Sequence, residues 1–168
     1  MHLILHRHAR AHARNPDTWP DDRLRPLTDD GRRIERRAAR ALVRVKIEPD
    51  LVLTSPWTRA RETAEILVEE LGLETDAVST DALANAPDLE ALQAEIGIRP
   101  DESVIVLVGH SPWLEELASL LLCGSRGRME TDLPKSGAIG IAAPMLAPAA
   151  GRLEFFWRPG HLKRLAGK

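Results

Sequence analysis

Short apolar runs alternate along this chain with longer segments whose apolar residues keep helical spacing. Leu3 to Leu5 predicts a first strand, and the polar stretch from Arg10 to Leu27, with Pro16, Pro20 and Pro26, predicts a loop. The segment "LTDDGRRIERRAARALVRV" predicts a helix. Thr28 is placed to cap it, Asp29 and Asp30 favour the positive end of its dipole, and Ile34, Ala38, Ala41, Leu42 and Val45 recur at helical spacing. "DLVLT" predicts a second strand. "SPWTRARETAEILVEELG" predicts a second helix, with Ala60, Thr63, Ala64, Leu67, Val68 and Leu71 on one stripe and Gly72 as its stop.

A short strand near Val78 and a helix from Pro87 to Ile96 follow. "SVIVLV" is a continuous β-branched run of the kind a strand covered on both faces shows. "SPWLEELASLLLC" predicts another helix. "GAIGIA" and "RLEFFW" predict two last strands around an Ala/Pro-rich loop, and the tail from Pro159 is basic. Strands that alternate with helices predict a single-domain, three-layer α/β/α sandwich around a largely parallel sheet, with the closing pair antiparallel. In such sheets ligands bind beyond the carboxyl ends of the strands.

Composition narrows the function classes. A net charge of −2 gives no global attraction to nucleic acid or anionic lipid. One cysteine, Cys123, excludes an internal disulfide framework and suits a reducing cytoplasm; its setting in "LASLLLC" predicts a small buried hydrophobe. The apolar run after Met1 meets basic residues at once, so no secretory leader is expected. "GAIGIAAPMLAPAAG" is too short, and too broken by Pro144 and Pro148, to cross a bilayer.

Three strand ends carry the chemistry. The first runs into His6, Arg7 and His8. The second and the later one share a design, an apolar strand followed by Ser-Pro-Trp and a helix, in "TSPWTRA" and "GHSPWLE". In each, Ser is expected to cap the helix and Pro to take its first position. If the three strands are neighbours, Arg7, His8, Arg59 and His110 converge. Guanidiniums match a tetrahedral oxyanion, and imidazoles supply a nucleophile and a donor, so the set suits phosphate without a metal.

Other readings compete. His2, His6, His8 and His12 suggest a metal site, but Arg7 and Arg10 among them repel a cation. The arginines at 32, 33, 36, 37, 40 and 44 suggest a nucleic-acid face, but no aromatic residues accompany them, and a solvated face is expected. Trp57 and Trp113 either line a substrate mouth or pack at the helix starts.

The stretch "LHRHARA" resembles the Arg-His-Gly motif of the histidine phosphatase superfamily, the group that includes phosphoglycerate mutases. The likeness continues in order through "RPLTDDGRR", "LVLTSPWTRARETA" and "VIVLVGHSPWLEELA". The length and the Arg-His-Ala form are most similar to the SixA-type phosphohistidine phosphatase branch. The resemblance implies that His8 is phosphorylated during turnover and that Arg7, Arg59 and His110 hold the phosphoryl oxygens, with Arg25 touching phosphate or substrate. It implies no cofactor and no metal. Ala9 replaces the motif's glycine, which a backbone at negative φ tolerates. Larger members carry a carboxylic general acid after the third strand; in that region here the candidates are Asp81 and Asp88.

The resulting expectation is a cytoplasmic, metal-independent phosphatase working through a phosphohistidine intermediate. A phosphohistidine-bearing signalling protein is the favoured substrate, because its labile P–N bond asks little of a general acid. A phosphomonoesterase for sugar or nucleotide phosphates is the alternative, and a non-catalytic phosphoprotein-binding module is the alternative from another class.

Overall fold

The computed structural model describes residues 1–167. The elements are β1 (His2–Arg7), α1 (Asp29–Arg44), β2 (Leu51–Thr54), α2 (Thr58–Leu71), β3 (Val78–Ser79), α3 (Leu89–Ile96), β4 (Val104–Gly109), α4 (Trp113–Cys123), β5 (Ala138–Ala142), β6 (Arg152–Trp157) and α5 (Pro159–Ala166). Short 3-10 turns lie at Asp22–Leu24 and Asp81–Leu83. The strands form one sheet in the order β3-β2-β4-β1-β5-β6. The four strands from β3 to β1 are mutually parallel, and β5 and β6 join antiparallel.

Alternation along the strands divides the core between two faces. Leu3, Leu5, Leu53, Ile105 and Leu107 pack toward α3 and α4. Ile4, Val52, Val106 and Val108 pack toward α1, α2 and α5. Each fully buried leucine of this kind stabilises the fold by about 1.5–3 kcal/mol. The result is an α/β sandwich with helices on both sides of a mixed sheet.

Thr28 caps α1 as expected, its hydroxyl accepting from the Gly31 N–H at 3.0 Å. Gly31 is required by proximity: a Cβ there would lie 2.0 Å from the Arg10 carbonyl oxygen. That close approach lets Thr28 N donate to Arg10 O at 3.0 Å and docks α1 against the loop leaving β1.

Several expectations change. β1 extends to Arg7, because it is hydrogen-bonded on both sides, so His6 lies inside the strand. Ser55 and Ser111 do not cap: α2 begins at Thr58 and α4 at Trp113, each without a side-chain cap. Val45 is the exposed C-cap of α1, and the buried stripe instead takes in Glu35. Cys123 is exposed, not buried; it ends α4, beyond the inward stripe of Leu114, Leu117, Ala118 and Leu121. The basic tail from Pro159 forms helix α5, whose Leu162 is fully buried. Among the described residues no helix is long and apolar enough to cross a membrane.

Four of the six arginines of α1 face acids on their own helix or on α2. Arg32 binds Glu62 at 2.7 Å, Arg40 binds Glu70 at 2.8 Å, and Arg36 lies 3.7 Å from both Glu69 and Glu70. Arg33 pairs with Asp30. This is a paired, solvated helix face.

Candidate active site

The sheet order explains the convergence. β4 lies between β2 and β1, and the register pairs Arg7 with Gly109 and Thr54 with Val108. Beyond those pairs, His8 N donates to Gly109 O at 3.0 Å and Ser55 N donates to Val108 O at 2.9 Å. His8, Ser55 and His110 therefore leave the sheet side by side at its carboxyl edge. Arg59 arrives from the first turn of α2.

The side chains meet there. His8, Arg59 and His110 are 6%, 5% and 4% exposed. His8 Nδ1 lies 2.7 Å from the Ala9 carbonyl oxygen, which accepts only, so Nδ1 carries the proton. Nε2 then presents its lone pair, and Arg59 Nε donates toward it at 3.3 Å. Ala9 has no positive φ, and its N–H donates to Thr63 Oγ1 at 3.0 Å, so the methyl group causes no backbone strain.

Burial, then His110, then the Arg59 and Arg7 charges push the His8 pKa from its usual 6.5 to about 2, against a hydrogen bond to Ala9 that raises it. Burial is the largest cause, and the neighbouring positive charges add to it. Burial, then Arg59 and Arg7, likewise lowers His110 to about 3. Both imidazoles are neutral at neutral pH. Their ring centroids are 5.1 Å apart. Arg59 is lowered to about 10, first by burial and then by Arg25, and remains a cation.

Supporting contacts fix these groups. His110 Nε2 lies 2.8 Å from Ser55 Oγ, a hydroxyl that serves either ring tautomer. Trp57 packs on His110 with centroids 4.4 Å apart, and the Arg59 guanidinium lies 4.5 Å over the Trp57 ring. Trp113 meets the edge of both rings at 5.8–5.9 Å. The two tryptophans thus pack the helix starts and wall the histidine at once. Arg7 donates through Nη1 to Leu133 O at 2.6 Å, while its buried Nε has no partner among the described residues.

Arg25 lies beside the cluster but is already engaged. Its Nε donates to Asp22 Oδ1 at 2.9 Å and its Nη1 to His12 O at 2.6 Å. Asp22 also reaches Arg59, with Oδ2 3.4 Å from Nη1. The hydrogen bond from Arg25 holds the Asp22 carboxyl below the usual carboxylate range, so Asp22 is an anion that orients two arginines. Asp81 is exposed in a 3-10 turn. Asp88 caps α3 and lines a slot beside His110 with about 10 Å³ of free space, room for one water.

The other histidines disperse. His2 binds Glu154 at 3.0 Å, His12 stacks near Trp19, and His6 is buried against Glu35 of α1 at 2.7 Å. Asp22 and Ser55 escaped the sequence reading. Asp22 lies in a proline-rich loop with no periodicity to place it, and the Ser-Pro-Trp pattern directed Ser55 to a capping role. The matching Ser at two strand ends was nevertheless a signal that the position mattered.

Fold and site together define the class: the chain belongs to the histidine phosphatase superfamily, whose branch 1 model matches residues 3–95. Its particular resemblance is to SixA-type members. The structure of the protein histidine phosphatase SixA complexed with tungstate superposes with a TM-score of 0.75 at 25% identity, over 97% of this chain and 100% of that one. A proposed phosphohistidine phosphatase SixA from Agrobacterium tumefaciens gives a TM-score of 0.73 at 23% identity, over 94% of this chain and 97% of that one. An uncharacterized protein from Picosynechococcus sp. is 35% identical over 144 residues, 84% of each chain.

Proposed function

We propose that this protein is a metal-independent phosphohistidine phosphatase whose nucleophile is His8 Nε2. One observation carries the reading: the Ala9 carbonyl holds the proton on Nδ1, burial keeps the ring neutral, and Nε2 is left facing a guanidinium. A similar SixA structure is complexed with tungstate, a tetrahedral oxyanion like phosphate, which supports an oxyanion as the ligand.

In the reaction, the Nε2 lone pair attacks phosphorus in line, and the P–N bond to the substrate imidazolium, protonated on its other nitrogen, breaks with its electron pair leaving on the first nitrogen, so that a neutral imidazole departs. Arg7 and Arg59 hold the equatorial oxygens and spread their charge, and His110 lends a hydrogen-bond donor. A water oxygen then bonds to phosphorus, the P–Nε2 bond breaks, and His8 returns to its neutral state as inorganic phosphate leaves. An imidazole leaving group needs less protonation than an alkoxide. Asp22, the carboxyl nearest Arg59, is held ionised and is a poor acid, which suits the phosphoramidate.

The test is turnover of a phosphohistidine-bearing protein against a panel of sugar and nucleotide phosphates, with and without chelator. Preferential, chelator-insensitive release of phosphate from phosphohistidine is expected. Preference for a phosphate ester would redirect the substrate, and loss of activity on chelation restored by Zn²⁺ or Mg²⁺ would overturn the metal-independent mechanism.

A further inference from the structure

Lys135 is a cation that the mechanism leaves unused. It sits in "LPKSG" (133–137), the turn leading into β5, and that turn is fastened to Arg7 at three points. Arg7 N donates to Gly137 O at 3.0 Å, Ser136 N donates to Arg7 O at 3.0 Å, and Arg7 Nη1 donates to Leu133 O at 2.6 Å. Gly137 N closes the turn on Pro134 O at 2.8 Å. Ser136 is buried at φ +58°, in the left-handed region that residues with a Cβ adopt at a cost. Such a conformation persists where its surroundings over-determine it. The backbone of Lys135 is thus held against the strand end that bears His8, while the residue itself is exposed.

The ammonium overlooks a groove of about 490 Å³ whose charged lining is Arg7, Arg10, Lys135 and Asp132. The Lys135 pKa lies below the ordinary lysine value, through partial desolvation first and then repulsion from Arg7, Arg10, Arg25 and Arg59. The charges acting on it most strongly are all positive. Among the described residues, the one side-chain ion pair of Arg10 is a 3.5 Å contact with Asp30, largely in solvent, so Arg10 stays available. One phosphoryl group engages the inner arginines and leaves this outer pair of cations without an anion.

We infer that Lys135 and Arg10 form a second anion subsite at the rim of the catalytic pocket, which recognises carboxylate side chains flanking the phosphorylated residue of an acidic protein segment. The inference rests on the phosphoprotein reading above and adds the kind of surface that carries the phosphoryl group. An exposed rim suits a segment of protein lying across it, and Asp132 on the same groove favours segments that keep their carboxylates near Arg10 and Lys135.

The test uses a His8→Asn background, which removes the nucleophile so that ligands persist. Affinities are measured by calorimetry at low salt for two phosphoserine peptides, one flanked on both sides by Glu and one by Gln. The Glu-flanked peptide should bind about fivefold tighter, Lys135→Gln should erase that preference, and Lys135→Arg should keep it. The preference should fade as salt is raised. Equal affinities, no detectable binding of either peptide, or a preference that survives Lys135→Gln would overturn the subsite. Turnover of phosphohistidine by the wild-type protein is read separately. Its absence would remove the proposed function and leave the binding preference to be judged on its own result.

Discussion

Acidification should weaken this fold in a way that can be assigned to two residues. In the unfolded chain His8 and His110 take up a proton near pH 6.5; in the native site they do so only near about 2 and about 3. Between those limits the unfolded state binds more protons than the native one. The stability is therefore complete above pH 6.5 and is lost as the pH falls. The slope is about 1.4 kcal/mol per pH unit for each histidine, so each costs about 2 kcal/mol between pH 7 and pH 5. Urea unfolding at the two pH values, in the wild type, His8→Asn and His110→Asn, isolates the effect, because all other titrating groups are common to the three. Each variant should lose about 2 kcal/mol less than the wild type over this interval. Removing His110 leaves His8 depressed, since burial is the largest cause of its shift. An identical loss in all three proteins would refute the claim that the native site holds both rings neutral.

Further outcomes follow from the same contacts. Arg59→Lys keeps the charge but loses the planar fork and its stacking on Trp57, and should lower kcat/KM by ~100- to 1,000-fold with the urea midpoint nearly unchanged. After correction for ionisation of the substrate phosphate, kcat/KM should show no acid limb between pH 5 and 7, because the nucleophile is already deprotonated there; a limb near 6.5 that vanished in a variant retaining activity would contradict this. Glu35→Leu should destabilise the fold by about 1–3 kcal/mol in urea unfolding, because it leaves the buried His6 Nε2 without the partner it meets at 2.7 Å, whereas adding His6→Met should recover most of that loss.

Residues whose position follows from local pattern were legible in the sequence, and residues placed by tertiary contact were not. Arg7, His8, Arg59 and His110 were found because each follows an apolar strand or opens a helix, and the structure brings all four to one edge. The α/β layering and the mixed sheet followed from the same alternation. His6 looked like part of the histidine cluster, but the period of two that turns Leu5 toward α4 turns His6 toward α1, where Glu35 meets it. Glu35 had no mark of burial, since a charged residue on a helix normally faces water. The helix at the C-terminus lay hidden in a basic tail whose one deep anchor is Leu162. Asp22 and Lys135 belong to loops, and their places come from Arg25, Arg59 and Arg7 across the fold, which no spacing along the chain encodes.

The proposed mechanism turns on a covalent bond between phosphorus and one particular nitrogen. Rapid quenching of the wild-type protein into alkali during turnover, followed by fragmentation mass spectrometry and ³¹P NMR of the denatured protein, tests it directly. The Ala9 carbonyl occupies the Nδ1 proton, so the phosphoryl group should be found on Nε2 of His8, stable to base, labile to acid and absent from His8→Asn. Phosphate on Nδ1, on another residue, or no phosphoenzyme under single-turnover conditions that release phosphate would contradict the mechanism.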